Sequence, residues 1–139
     1  MLKAQTKKYQ KQKNNKRKEK IILVTDAMRA SGQNVTHSYL GSYEKGIKCI
    51  IEDGVAKLED RSAFAGSVAT ADRLIRTMVK VAGVPLLEAV NMITVNPIRE
   101  LNLNVKKGKI ESGFDADLII FDDDINIQKV VLQGEEVNL

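Results

Sequence analysis

Apolar and polar positions divide the chain into zones of different character. Residues 1–20 carry almost no apolar side chains after Leu2. At residue 21 an unbroken apolar run, Ile21-Ile22-Leu23-Val24, leads into Thr25-Asp26-Ala27. Such a short run, mostly β-branched, predicts a strand buried on both faces. From 26 to 46 the pattern dissolves into Gly, Ser, Thr and Asn, which predicts a long loop. Loops of that length after a buried strand are often functional. Apolar runs then flank Asp53-Gly54 and predict a hairpin over 47–58, closed by a two-residue type I′ turn.

Helical spacing follows. Ala71, Leu74, Ile75, Met78, Val79 and Ala82 recur at the interval of one helix face, predicting a helix over 68–82 that Gly83 ends. Pro85 suits the first turn of a second helix, 85–94, with Leu86, Leu87, Ala89, Val90 and Ile93 as packing positions. Asn96-Pro97 breaks it and opens a short helical piece at about 97–102. Beyond residue 103 the period changes again. Ala116–Phe121 and Val130–Leu132 read as strands, with a third near Val137. The whole is an α/β chain with three zones: a basic tail over 1–20, a mixed zone over 21–104 and a β layer over 105–139.

Charge changes the picture of the tail. The formal net charge of the chain is +4, but residues 1–20 hold nine Lys/Arg against one Glu. The tail is therefore strongly basic, and the remainder is mildly acidic. Self-repulsion and lack of buriable surface predict disorder over 1–20. A nucleic-acid or other anionic partner for the tail is one reading. An acidic body and a single tail aromatic, Tyr9, speak against it, and a solvated extension is the plainer alternative. A non-functional remnant is a third reading of the chain. No apolar run spans a bilayer, the N-terminus does not resemble a signal peptide, and the lone Cys49 suits a reducing compartment. The expected setting is the cytoplasm.

Few residues here can carry chemistry. Asp26 ends the predicted strand where α/β folds place catalytic groups, although the same position suits a turn-forming Asp. His37 is the only histidine and reads as an exposed loop residue. Asp122-Asp123-Asp124 lacks the remaining spacing of a calcium loop and reads as a solvated turn. Ser62–Ser67 is small and glycine-containing, and could bring backbone close to a ligand. One His and one Cys cannot supply the usual metal-ligand clusters. Asp26 is left as the one good acid or base, without partners in this chain.

Several segments, in order, resemble the N-acetylglucosamine-6-phosphate deacetylase family of the amidohydrolase superfamily. Leu23–Gly32 is similar to that family's final barrel strand and following loop. Glu59–Ser67 is similar to its "DG-T-LAGS" segment, with Arg61 where a glycine is usual. Asn96-Pro97-Ile98-Arg99 sits at a similar Pro-containing stretch. Gly108-Lys109-Ile110 and Gly113-Phe114-Asp115-Ala116-Asp117-Leu118 resemble the run on which many amidohydrolases re-enter a β-sandwich. The resemblance covers about residues 21–139.

The resemblance implies the C-terminal portion of a TIM-type (β/α) barrel, plus part of a small β-sandwich. It implies that Asp26 is the catalytic aspartate and that Phe64, Ala65, Gly66 and Ser67 line the substrate pocket. The substrate would be an amino-sugar phosphate. The complete enzyme would carry a divalent metal, zinc or iron, whose ligands have no counterpart here. A full barrel takes eight strands and about 250 residues. The expectation is thus a partial deacetylase, inactive alone, completed by the missing N-terminal part or by a homo-oligomer.

Overall fold

A computed structural model describes residues 18–138, with the side chain of Lys18 left out. The disorder expected over 1–20 falls, up to residue 17, outside the described residues. Lys18–Lys20 form one 3-10 turn. The chain divides into two compact units: residues 24–74, and residues 75–139 together with the segment up to Leu23.

The unit of residues 24–74 is built on an antiparallel sheet of three strands, β1 (His37–Leu40), β2 (Ile47–Glu52) and β3 (Val55–Leu58), in the order β1-β2-β3. The expected hairpin is present. Glu52 pairs with Val55, and Asp53 and Gly54 both hold positive φ, at 52° and 68°. That is the conformation a type I′ turn requires. β1 lies inside the stretch expected to be loop. Its residues His37-Ser38-Tyr39-Leu40 alternate too briefly to stand out, and pairing with β2 decides them. Met28, Ala30, Cys49, Ala56 and Ala65 form the core, with Ile51, Leu58 and Val68 against it.

Ile21–Val24 does not form the buried strand expected of it. Val24 is 71% exposed and Ile21, Ile22 and Leu23 are only partly buried. A strand needs a ladder. The apolar run has one backbone bond to a neighbouring segment, Leu23 N–H to the Met92 carbonyl at 2.9 Å, and Ile21 C=O accepts from the Asn96 side chain at 2.8 Å. Strand-like pairing begins only at Ala27, which makes a parallel bridge with Ser67.

α1 (Ala71–Arg76) begins later than the expected residue 68. Ser67 is committed through both its amide and its carbonyl to the 26–28 segment. The chain therefore stays extended there, and the first helical bond is Leu74 N–H to Thr70 C=O at 3.1 Å. α1 continues directly into a π-helical turn, Thr77–Val81, where Ala82 N–H reaches Thr77 C=O at 3.1 Å. Gly83, at φ 66°, ends it, and Val84 N–H closes on Met78 C=O at 3.0 Å.

In the second unit α2 (Leu86–Asn91) packs through Ala89 and the following Met92, while Leu86 and Leu87 face outward. α3 (Val95–Glu100) starts before Pro97 rather than at it, because proline costs no hydrogen bond within the first helical turn. Ile75, Met78, Ala82, Val84, Ala89, Met92 and Ile125 form this unit's core. The C-terminal β layer is a second antiparallel sheet, β4 (Leu118–Phe121), β5 (Ile127–Leu132) and β6 (Glu135–Val137), with a register shift between Ile120 and Phe121. Between β4 and β5, the Asp122 side chain accepts from the backbone amides of Asp124 and Asn126 at 3.0 and 2.9 Å and from Asn126 Nδ2 at 2.9 Å. The acidic break is a self-bonded turn. Arg76 clasps it, donating to the Asp124 and Ile125 carbonyls at 2.9 and 2.6 Å.

Candidate active site

Asp26 is exposed and follows the exposed Val24 and the half-buried Thr25 at the end of the apolar segment. Its backbone holds φ 48°, the left-handed region that Asp tolerates better than most residues. Met28, two residues on, is buried in the core of the 24–74 unit. The Asp26 carbonyl accepts the Ser67 amide at 2.9 Å, and the Met28 amide donates to the Ser67 carbonyl at 2.8 Å. The two segments singled out in the sequence, around Asp26 and over Phe64–Ser67, are thus neighbours in space.

The Phe64–Ser67 segment runs along the hairpin before it meets Asp26. Lys57 and Phe64 form an antiparallel bridge, and Ala65 N–H donates to Ala56 C=O at 3.0 Å. Its side chains differ in access. Phe64 is 59% exposed, Ala65 is fully buried, and Ser67 is buried with its hydroxyl accepting from Ala69 N–H at 2.9 Å. Gly66 holds φ 81° beside the Asp26 backbone.

Arg61, where the resemblance leads one to expect glycine, sits at φ 59°, the region that glycine occupies without strain. Its guanidinium lies 2.5 Å from Glu52, which Lys57 also meets at 3.1 Å. Those two cations hold the Glu52 carboxyl below its ordinary range, the Arg61 hydrogen bond first. Arg61 is exposed, and Glu52 and Lys57 keep part of their side chains in solvent, so screening limits what the cluster adds to the stability of the fold. Asp60 closes the turn by accepting the Ser62 amide at 3.0 Å and the Ser62 hydroxyl at 2.6 Å.

Sequence reasoning missed the contacts behind Asp26. Arg29 lies over the Tyr43 ring at 4.1 Å from its centroid and donates to the Gly41 carbonyl, and Tyr39 meets Tyr43 edge-on at 5.9 Å. These contacts order part of the 26–46 stretch. The only sequence signal was the presence of Arg and two tyrosines in an otherwise polar stretch, which fixes no pairing.

His37 lies on β1, exposed, with Nδ1 3.0 Å from the Thr36 hydroxyl. Among the described residues no three His, Cys, Asp or Glu side chains group so as to hold a metal ion. The open hollow on the hairpin is lined by Ile47, Lys48, Leu58, Glu59 and Asp60, and neither Asp26 nor Phe64–Ser67 borders it. Among the described residues no helix is long and apolar enough to cross a membrane.

The chain matches the model of the amidohydrolase family over residues 9–137. It is 34% identical over 115 residues to the N-acetylglucosamine-6-phosphate deacetylase of Lysinibacillus sphaericus, covering 82% of this chain and 28% of that protein. It is 31% identical over 119 residues to the N-acetylgalactosamine-6-phosphate deacetylase of Escherichia coli O157:H7, covering 85% of this chain and 30% of that one. A relative from Escherichia coli strain K12, also 31% identical, is spanned over 68% of its length.

Among solved structures, the N-acetyl-D-glucosamine-6-phosphate deacetylase of Mycobacterium smegmatis superposes with a TM-score of 0.74 at 33% identity, over 87% of this chain and 32% of that one. A mutant of that enzyme has been solved in complex with N-acetyl-D-glucosamine-6-phosphate. The Thermotoga maritima N-acetylglucosamine-6-phosphate deacetylase superposes at 0.73 and 30% identity, again over 32% of its length. The chain belongs to the amidohydrolase family.

Proposed function

We propose that this chain supplies the proton-transferring carboxylate of a deacetylase acting on an amino-sugar phosphate. The observation that carries the reading is the pairing of Asp26 with the Gly66–Ser67 backbone. It joins, at one exposed carboxylate, the two segments whose sequence most resembles the deacetylase family.

Asp26, as carboxylate, accepts a proton from the attacking water as the water oxygen bonds to the amide carbon. The C–N bond then breaks, and Asp26 returns the proton to the leaving amine nitrogen. Acetic acid and the free amine result, and proton exchange between them gives acetate and the ammonium form of the amino sugar phosphate, with atoms and charge in balance. A single carboxylate performs both steps because the base of the first is the acid of the second. Phe64 offers an exposed apolar surface and Gly66 a bare backbone to the substrate, while Ala65 and Ser67, expected to line the pocket with them, are buried and support the segment from beneath.

The zinc or iron ion implied for the complete enzyme does not fit the residues described here. One exposed carboxylate falls short of the three or more protein ligands such an ion takes. The chain spans about 30% of the length of the relatives named above as deacetylases. Metal ligands and the other barrel strands accordingly belong to a portion of the barrel that these residues do not include. In this reading residues 21–104 are the end of that barrel, and residues 105–139 are part of its sandwich.

The test is acetate release from N-acetylglucosamine-6-phosphate by the purified chain with added zinc or iron. No turnover is expected. Turnover that disappears in Asp26→Asn would overturn the dependence on a separate barrel portion.

A further inference from the structure

We infer that Gly66 and Ser67 are positioning residues for Asp26: their peptide group holds the Asp26 backbone in its left-handed turn, so that the carboxylate is preset within residues 24–74. The inference rests on the reading of Asp26 as proton carrier. It assigns to Ser67 a task different from touching substrate.

Ser67 is buried, and its amide, carbonyl and hydroxyl oxygen each have a partner within the chain. Its amide donates to the Asp26 carbonyl at 2.9 Å, its carbonyl accepts from Met28 N–H at 2.8 Å, and its hydroxyl accepts from Ala69 N–H at 2.9 Å. The residue is 6% exposed. The two backbone bonds bracket Ala27, so the chain direction is fixed immediately after the Asp26 Cα. Below this bracket, Met28 and Ala30 from one segment and Ala65 from the other are buried in a common core. The bracket is therefore anchored and does not float on the surface.

Gly66 makes the bracket possible. At φ 81° a Cβ would stand 3.5 Å from the Asp26 carbonyl oxygen and 3.6 Å from Met28 Cβ, which is ordinary contact. Space is not the obstacle; the left-handed backbone is. An L-residue at 66 relieves its strain by turning about its own N–Cα bond, and with Ala65 held to the Ala56 carbonyl that turn swings the peptide between 66 and 67. That peptide carries the very N–H that Asp26 accepts. The rotation withdraws the donor, and Asp26, itself at φ 48°, loses the bond that keeps it in a region few side chains occupy.

The experiment is a measurement of the scalar coupling across the hydrogen bond from Ser67 N to Asp26 C′ in the full, isotope-labelled chain. It reads the bond whether or not the chain turns over substrate, so its failure is separate from failure of the proton-carrier reading, which activity of Asp26→Asn decides. The coupling is expected in the native chain and in Ser67→Ala, which removes only the hydroxyl. It is expected to be lost in Gly66→Ala and largely recovered in Gly66→Asn, since Asn tolerates the left-handed region. Gly83→Ala, at φ 66° with open space around it, is the control for losing any left-handed glycine and should keep the coupling. Absence of the coupling in the native chain overturns the inference. So does its survival in Gly66→Ala, or its loss in Ser67→Ala or Gly83→Ala.

Discussion

Ser67 donates its backbone amide to the carbonyl of Asp26 at 2.9 Å, forty-one residues away in the chain. A contact of that span is paid for by the buried side chains on either side of it, Met28 and Ala65. The carboxylate at the surface and the core beneath it are thus one construction, and stability of the core and geometry of the site should respond together.

The second unit depends on Met92, one of its largest fully buried side chains at 1% exposure. Met92→Ala should cost about 2–5 kcal/mol, the usual range for deleting a buried side chain of that size. The loss should appear as a lower urea midpoint with an unchanged slope.

At the hairpin, Gly54 holds φ 68°, and Arg73 donates to its carbonyl at 2.9 Å. A Cβ at 54 would meet the Arg73 guanidinium at 2.7 Å, so the arginine must swing away. Gly54→Ala should destabilise by roughly 1–2 kcal/mol, mostly from the left-handed backbone. Thermal unfolding followed by circular dichroism measures it.

In the β layer, Asp117 meets Lys107 at 2.5 Å and accepts the Gln133 amide at 2.9 Å. Lys107 first, then the Gln133 amide, hold the Asp117 carboxyl below its ordinary value of 3.8. A lowered folded value means that the stabilisation is present above the unfolded value and is lost as pH falls through the folded one. Asp122, lowered chiefly by the Asn126 amide, acts with the same sign. Unfolding titrations should therefore show stability level near neutrality and falling from about pH 4 downward, with a shallower fall in Asp117→Asn.

Periodicity made the helix face of Ala71–Ala82, the Asp53-Gly54 hairpin and the C-terminal strands legible, because each is decided by local pattern and turn chemistry. Ile21–Val24 misled for the opposite reason. An apolar run states that a segment is to be covered, while only partners at a distance decide whether it joins a ladder. β1 is the converse case, a strand made by its neighbour β2 from residues with little pattern of their own. The late start of α1 has the same origin, in Ser67's bonds to the 26–28 segment. Asp26 was singled out in the sequence by its place after an apolar run. Its left-handed backbone and its bond to Ser67 were not, because partners forty-one residues apart leave no local pattern.

The most direct measurement is deacetylation of N-acetylglucosamine-6-phosphate by this chain combined with the portion, not covered by this chain, of a relative such as the Lysinibacillus sphaericus enzyme. The account predicts turnover only when both parts are present. It predicts a fall of about 10²–10⁴-fold with Asp26→Asn, the usual range for removing a general acid–base group. Full activity of the combination with Asp26→Asn would contradict it.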